Sequence, residues 1–227
     1  VGDVERTAAL FEHLWPIVQS EGMGAAYARE RQLLPILMEN ERTGMRVDLE
    51  RLEQDIEGYS WAMDTVEAWL RKTLRADGLN FDADRDVASV LLQQGIVPEA
   101  AWQSTKSGQL SMSKENLLPE HFADPRIASA LGYRNRLKTC LEMFMKPWSV
   151  QAGVNKGFIT TNWNQTRGDR GGTRTGRPST DRHNFLNLSK TWSGRDDGYT
   201  HLWFMPVADL PLVRRYVLPD EGEVFLH

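Results

Sequence analysis

Arg174-Thr175-Gly176-Arg177-Pro178-Ser179-Thr180-Asp181-Arg182-His183-Asn184-Phe185-Leu186-Asn187-Leu188-Ser189-Lys190 is the stretch on which the reading of this chain turns, together with its lead-in Asn162-Trp163-Asn164-Gln165-Thr166. The glycine before Arg177 lets the backbone come close to a ligand. Arginine is permanently charged and carries a rigid fork of donors. Alone, Thr175-Gly176-Arg177 reads as well as a solvated basic loop. Gly171 to Gly176 has the G-x-x-x-x-G spacing of a phosphate-cradling loop, but that loop then needs Lys and Ser/Thr. Here Arg177 and Pro178 follow, which removes a nucleotide-triphosphatase reading.

The full pattern is more specific than any of its parts. Asn164-Gln165-Thr166, Thr175-Gly176-Arg177, Ser179-Thr180, Asn184-Phe185 and Asn187-Leu188 fall in order on a segment that resembles the primer-template-binding motif of the family A DNA polymerases. His183 stands where that family usually has proline, and Leu186 where it has glutamine. In the minor groove every Watson–Crick pair presents acceptors, purine N3 and pyrimidine O2, at nearly the same places. A fixed donor there tests pair shape without reading sequence. The resemblance implies that Arg177 is this probe, and that Asn184 and Asn187 are amide partners of template bases or sugars. Thr175 and Gln165 come with the motif as further DNA-binding positions.

The chain has 227 residues, 41% apolar and 26% charged, an ordinary globular composition. No apolar stretch is long enough to span a bilayer, and the N-terminus has no signal-peptide pattern. It also lacks an initiator Met, so a fragment is expected. Cys140 is the sole cysteine, so no internal disulfide forms and a reducing compartment is expected, with a buried structural thiol in a helical run. The net charge of −4 hides a split: −9 over residues 1–100, +8 over 101–190 and −3 over 191–227. A basic middle is the electrostatic footprint of phosphate contacts, and it coincides with the motif.

Along the chain, residues 4–20 are helix-like, with Leu10, Phe11, Leu14, Trp15 and Val18 as a core face and Pro16 expected to kink or divide the run. Asp3 reads either as the N-cap or, by resemblance to the third motif of the 3′→5′ exonuclease domain, as a metal ligand. A second helix is expected over 24–43, kinked at Pro35 and closed by Gly44. A third runs from Leu49 to Leu74, its register marked by Leu52, Ile56, Trp61, Met63, Val66 and Leu70. Leu34 to Asp48 resembles the family's entry into the polymerase domain, and Glu41 within it reads as structural or solvated before functional. Thr105 to Lys114 resembles a T-x-x-G-x-x-S-T-S loop leading to a short helix at Glu115–Leu118. Its hydroxyls and Lys114 suit phosphate contact, and equally an ordinary surface loop. A helix over 125–145 follows, stopped by Pro147. Tyr133-Arg134 and Lys138 match the family's Y-R-x-x-x-K, and Arg134 and Lys138, four apart, share one helix face suited to successive phosphates. The alternative is an exposed basic face without a ligand.

Gly157 to Trp163 alternates like a half-buried strand. Residues 191–204 match nothing clearly and read as an insertion. Leu210 to Leu226 resembles the strand-turn-strand that precedes the family's first metal-binding aspartate. The resemblance implies an α+β fold: a mostly helical thumb with long antiparallel helices, followed by the first antiparallel strands of the palm. It divides the chain into 1–22, the tail of an exonuclease domain; 23–150, the thumb; and 151–227, the start of the palm. The function it implies is template-directed DNA synthesis by a nucleotidyltransferase that uses Mg²⁺, dNTP and primer-template duplex in a bacterial or phage-infected cytoplasm. This chain then supplies the duplex-binding part and is inactive alone. One subunit of a split polymerase, completed in trans by a C-terminal segment, and a non-catalytic DNA-binding remnant are the other readings.

Overall fold

A computed structural model describes residues 2–102, 104, 106, 112, 116–165, 176–188 and 202–224. The described residues are mostly helical with two small two-stranded sheets, and the chain divides into two compact units. One comprises residues 1–45 and 160–186, the other residues 46–159 and 187–227.

In the first unit, helices α1 (Gly2–Ser20) and α2 (Gly24–Thr43) are joined by a turn in which Gly22 has φ +71°. Both helices run through their prolines, so Pro16 does not divide α1. Each proline deprives the carbonyl four residues earlier of its partner. Those carbonyls belong to Glu12 and Arg31, exposed residues at which solvent is available to replace the lost bond. Gly44 closes α2 at φ +71°, its N–H donating to Asn40 O. The expected core face of α1 is not a core. Leu10, Phe11 and Leu14 remain 56%, 46% and 43% exposed, and the helix buries no residue. Its contacts are aromatic: Phe11 stacks on Trp15 with centroids 5.5 Å apart, and Trp15 meets Tyr27 of α2 at 5.1 Å.

Strands β3 (Asn162–Asn164) and β4 (Ser179–Asp181) complete this unit as an antiparallel pair, Trp163 opposite Thr180. Two side chains of α2 fix the pair. Glu41 accepts from the Trp163 N–H at 2.5 Å, and the Gln165 amide donates to Glu30 O at 2.9 Å and to the Glu30 carboxylate at 3.2 Å. Glu41 is structural, as its position in the sequence suggested.

The second unit opens at Arg46 of β1 (Met45–Arg46), which pairs with β2 (Phe158–Ile159). Asp48 caps α3 (Leu49–Thr73), its carboxylate accepting from the Arg51 N–H at 3.1 Å. Leu52, Val66 and Leu70 line the buried stripe of α3, while Trp61, expected on it, is 57% exposed. Each fully buried leucine contributes about 2 kcal/mol relative to exposure. Helix α4 (Asp84–Gln93) buries Val87, Ala88 and Leu91. The short helix expected at Glu115–Leu118 does not lie there: Asn116 and Leu117 form a turn, and a 3₁₀ turn follows at Pro119–His121.

Helix α5 (Pro125–Cys140) does not end before Pro147. It passes through one π-helical turn, Leu141–Met145, directly into α6 (Lys146–Val154). Lys146 keeps helical angles, φ −63° and ψ −49°. A π turn takes an extra residue and realigns the carbonyls, and Pro147 then sits in the first turn of a new helical segment, where its missing N–H costs nothing. Trp148 and Met145 are fully buried at this joint. Cys140 is buried as expected, and desolvation pushes its thiol up to about 12, so it stays protonated and unreactive at neutral pH.

The C-terminal segment is less regular than the strand-turn-strand read from sequence. Val213–Tyr216 is a 3₁₀ turn and Val217 makes a single antiparallel bridge to Val47. Pro211 and Pro219 flank it, and proline cannot donate to a ladder.

Candidate nucleic-acid interface

In the first unit the motif residues are carried by β3, β4 and the turn after them. Gly176 adopts φ +70°, a conformation that L side chains rarely adopt, and hands the chain to exposed Arg177. Pro178 then holds Arg177 out of the helical region. Beyond β4, Thr161 Oγ1 donates to Asp181 O at 2.9 Å and to His183 O at 2.6 Å. These two bonds tie down the chain where the family pattern has proline. Burial lowers the pKa of His183, so its ring is neutral at physiological pH. The Asn184 side-chain oxygen accepts from Thr180 Oγ1 at 3.2 Å, which orients its amide. Gln165 spends its amide on α2 and so serves the frame of the site.

One contributor escaped the sequence reading. The Arg29 guanidinium of α2 lies 4.0 Å from where a Cβ on Gly176 would stand, bringing a second arginine to the turn that carries Arg177. Arg29 is mainly exposed and pairs with Glu30 at 3.3 Å. No motif marks it; it is an arginine within an ordinary helical pattern.

In the second unit, Asn187 is exposed at the end of a 3₁₀ turn over Phe185–Asn187. The next carbonyl, Leu188 O, accepts from Nε and Nη2 of Arg214 at 3.1 and 2.8 Å. Arg214 therefore anchors the far end of the motif, a role that only the distant contact reveals.

Arg134 is a correction. The sequence placed it with Lys138 on an exposed helix face, but only 7% of its side chain is exposed. Its Nε and Nη2 reach Glu67 of α3 at 2.9 and 2.8 Å, Nη2 also reaches Asp82 at 2.5 Å, and Nη1 donates to Phe81 O at 3.2 Å. Four acceptor contacts leave its fork committed inside the protein. Glu67 in turn pairs with Arg71 at 2.8 Å. Lys138 does lie at the surface, 37% exposed, but its Nζ pairs with Asp82 at 2.6 Å. The i,i+4 spacing was right about proximity: both cations converge on one carboxylate.

That carboxylate sets an acid limit. Hydrogen bonds from Lys138 and then Arg134 hold Asp82 below the usual carboxylate range. A depressed folded-state pKa contributes stability that is present above the unfolded value of about 3.9 and lost as pH falls through the folded value. Asp82→Asn is expected to lower the melting temperature at neutral pH and to flatten its decline below about pH 4. Parallel melting curves for both proteins across that range, one merely displaced from the other, would show that Asp82 is not the titrating group.

Lys114 and Thr175 lie outside the described residues. Asp3 stands fully exposed in the first turn of α1, 3.7 Å from Arg6. Among the described residues no three His, Cys, Asp or Glu side chains are grouped so that they could hold a metal ion. No described helix is long and apolar enough to cross a membrane.

The chain superimposes with a TM-score of 0.56 on the polymerase domain of Pol1 from M. smegmatis, solved in complex with DNA primer-template and dNTP. The match covers 69% of this chain and 26% of that one at 20% identity. In sequence, the chain is 29% identical over 191 residues to the DNA polymerase DpoZ of Vibrio phage phiVC8, covering 78% of this chain and 28% of the relative. No protein-family profile matches. The chain thus resembles a DNA polymerase in both sequence and fold, and it spans under a third of the length of each.

Proposed function

We propose that this chain is the primer-template-holding part of a family A DNA polymerase, a nucleotidyltransferase that copies DNA. The observation that carries the reading is the motif whose residues fall in sequence order from Asn164 to Leu188, with Arg177 on an exposed turn and its described parts held by Glu41 at Trp163, Thr161 at Asp181 and His183, and Arg214 at Leu188. In this reading Arg177 donates to minor-groove acceptors at the primer terminus, while Asn184 and Asn187 meet bases or sugars beside it. Lys138, Lys114, Thr175 and Arg29 supply backbone contacts. Gln165 and Arg134 are support: one ties the strand to its helix, the other holds three segments of the second unit together. Mg²⁺ belongs to the complete enzyme, on carboxylates other than those described. The likeness to a polymerase solved with primer-template and dNTP supports the choice of ligand.

Fluorescence anisotropy with a labelled primer-template tests the proposal. The expected result is binding with little sequence preference that weakens steeply with salt, because each phosphate neutralised adds about −0.9 to the log–log slope. An affinity that stays constant from low to moderate salt would remove the +8 segment from the interface and the proposal with it.

A further inference from the structure

Among the described residues three other than glycine have positive φ, and all three are basic: Arg75 at +48°, Lys156 at +53° and Arg182 at +51°. In this region the side chain crowds its own backbone, so glycine, asparagine or aspartate is the usual occupant. Two of the three are accounted for by helix ends. Arg75 follows α3, where the Ala76 N–H donates to Arg71 O at 3.0 Å and the Arg75 N–H to Lys72 O at 3.3 Å. Lys156 follows α6, where the Gly157 N–H donates to Ala152 O at 2.8 Å. These are the bonds by which one left-handed residue closes a helix. Arg182 closes no helix. It stands between β4 and the 3₁₀ turn over Phe185–Asn187, inside the motif.

What holds Arg182 there is a side chain. Thr161, only 4% exposed, shares its hydroxyl hydrogen between the carbonyls of Asp181 and His183, the residues on either side, at 2.9 and 2.6 Å. With both flanking carbonyls fixed, the backbone keeps a conformation that an arginine disfavours. The Arg182 side chain is exposed and makes no hydrogen bond or ion pair with any described residue. It does not turn to the carboxylate next to it. One oxygen of Asp181 accepts from the Asn164 amide at 3.3 Å, and the other is buried. Two positions further on stands Asn184, its amide oriented by Thr180.

We infer that Arg182 is a backbone contact of the motif, its guanidinium donating to a phosphate of the strand whose base or sugar Asn184 meets, and that Thr161 is the positioning residue that presents it. A planar fork of donors matches the oxygens of a phosphate. The inference rests on the reading of the chain as a primer-template-holding module and adds to it a contact that the motif pattern does not mark.

The test is the binding of a labelled primer-template duplex across a range of salt, beside thermal melting. Glycine adopts positive φ freely, so Arg182→Gly is expected to melt no lower than wild type. The same variant is expected to bind duplex about eightfold more weakly at about 0.1 M salt, with a log–log slope shallower by about 0.9, one phosphate contact. Arg182→Lys keeps the charge and is expected to keep the slope. Arg75→Gly, the same exchange at a similar φ but at a helix end, is expected to leave the slope unchanged. Thr161→Val removes the hydroxyl at nearly the same shape. It is expected to weaken duplex binding by the wild-type chain and to add little to Arg182→Gly, because the contact it positions is already gone. An unchanged slope in Arg182→Gly, whatever its melting temperature, overturns the contact. So does an equal loss of slope in Arg75→Gly, which would mean that net charge and not place is being read. An equal loss from Thr161→Val in both backgrounds overturns the part given to Thr161. If the wild-type chain itself does not bind the duplex, the primer-template-holding function fails, and this contact with it.

Discussion

Arg177→Ala, placed in the polymerase of which this chain is proposed to be part, is expected to slow primer extension by about 10²-fold or more while weakening duplex affinity only a few-fold. Affinity for a duplex comes mostly from phosphate contacts, of which one arginine is a small share. Rate is more sensitive, because a primer terminus misplaced by about 1 Å costs on the order of 10²-fold. The turn is built for one residue in one place: Gly176 takes a conformation L residues avoid, and Pro178 restricts Arg177 from the other side. Arg177→Lys is expected to restore little, since an ammonium lacks the planar fork. Wild-type extension by the alanine variant would remove Arg177 from the primer terminus.

Arg134→Ala is expected to act on stability instead. Its guanidinium joins Glu67 of α3, Asp82 and the Phe81 carbonyl, with Phe81's ring 5.9 Å from the guanidinium carbon. Removing it leaves a largely buried Glu67 facing Arg71 alone and a buried carbonyl without a donor. Breaking such a pair from one side costs about 3 kcal/mol, somewhat less where Asp82 reaches water. For a chain of this size the melting temperature falls by roughly 6–12 °C. Adding Glu67→Gln is expected to recover part of the loss, because the orphaned charge goes with it. DNA affinity measured well below the transition is expected to keep its salt slope. An unchanged melting temperature with a shallower slope would return Arg134 to the phosphate-contacting role that the sequence alone suggested.

The contrast between these two arginines shows what the sequence could tell. Both sit in motifs of similar clarity, and spacing correctly placed Arg134 beside Lys138 on one side of α5. It could not say which side was covered, because the covering groups, Glu67 and Asp82, are 67 and 52 residues away. Helix positions were legible from periodicity and caps: α2 ends at Thr43 with Gly44 as its cap, and α3 starts at Leu49, as read. Proline misled in both directions. Pro16, Pro35 and Pro147 lie within continuous helical runs, because the cost of a missing bond depends on water access or on a π turn, neither visible locally. Pro211 and Pro219, given no weight, coincide with the break-up of an expected strand into a 3₁₀ turn and one bridge. Arg29 and Arg214 were illegible for the same reason as Glu67. Their roles are contacts made across the chain, and nothing in the surrounding residues announces them.

The most direct test of the central claim pairs Arg177 with the atom it is proposed to touch. Primers ending in a normal purine and in its 3-deaza analogue, which lacks only the minor-groove N3 acceptor, are extended by the complete polymerase and by its Arg177→Ala variant. If Arg177 donates to that acceptor, the analogue slows the wild-type enzyme strongly and the variant hardly at all, since the second deletion removes a bond already gone. If the analogue slows both enzymes by the same factor, Arg177 does not contact the primer-terminal minor groove, and the motif holds DNA in some other way.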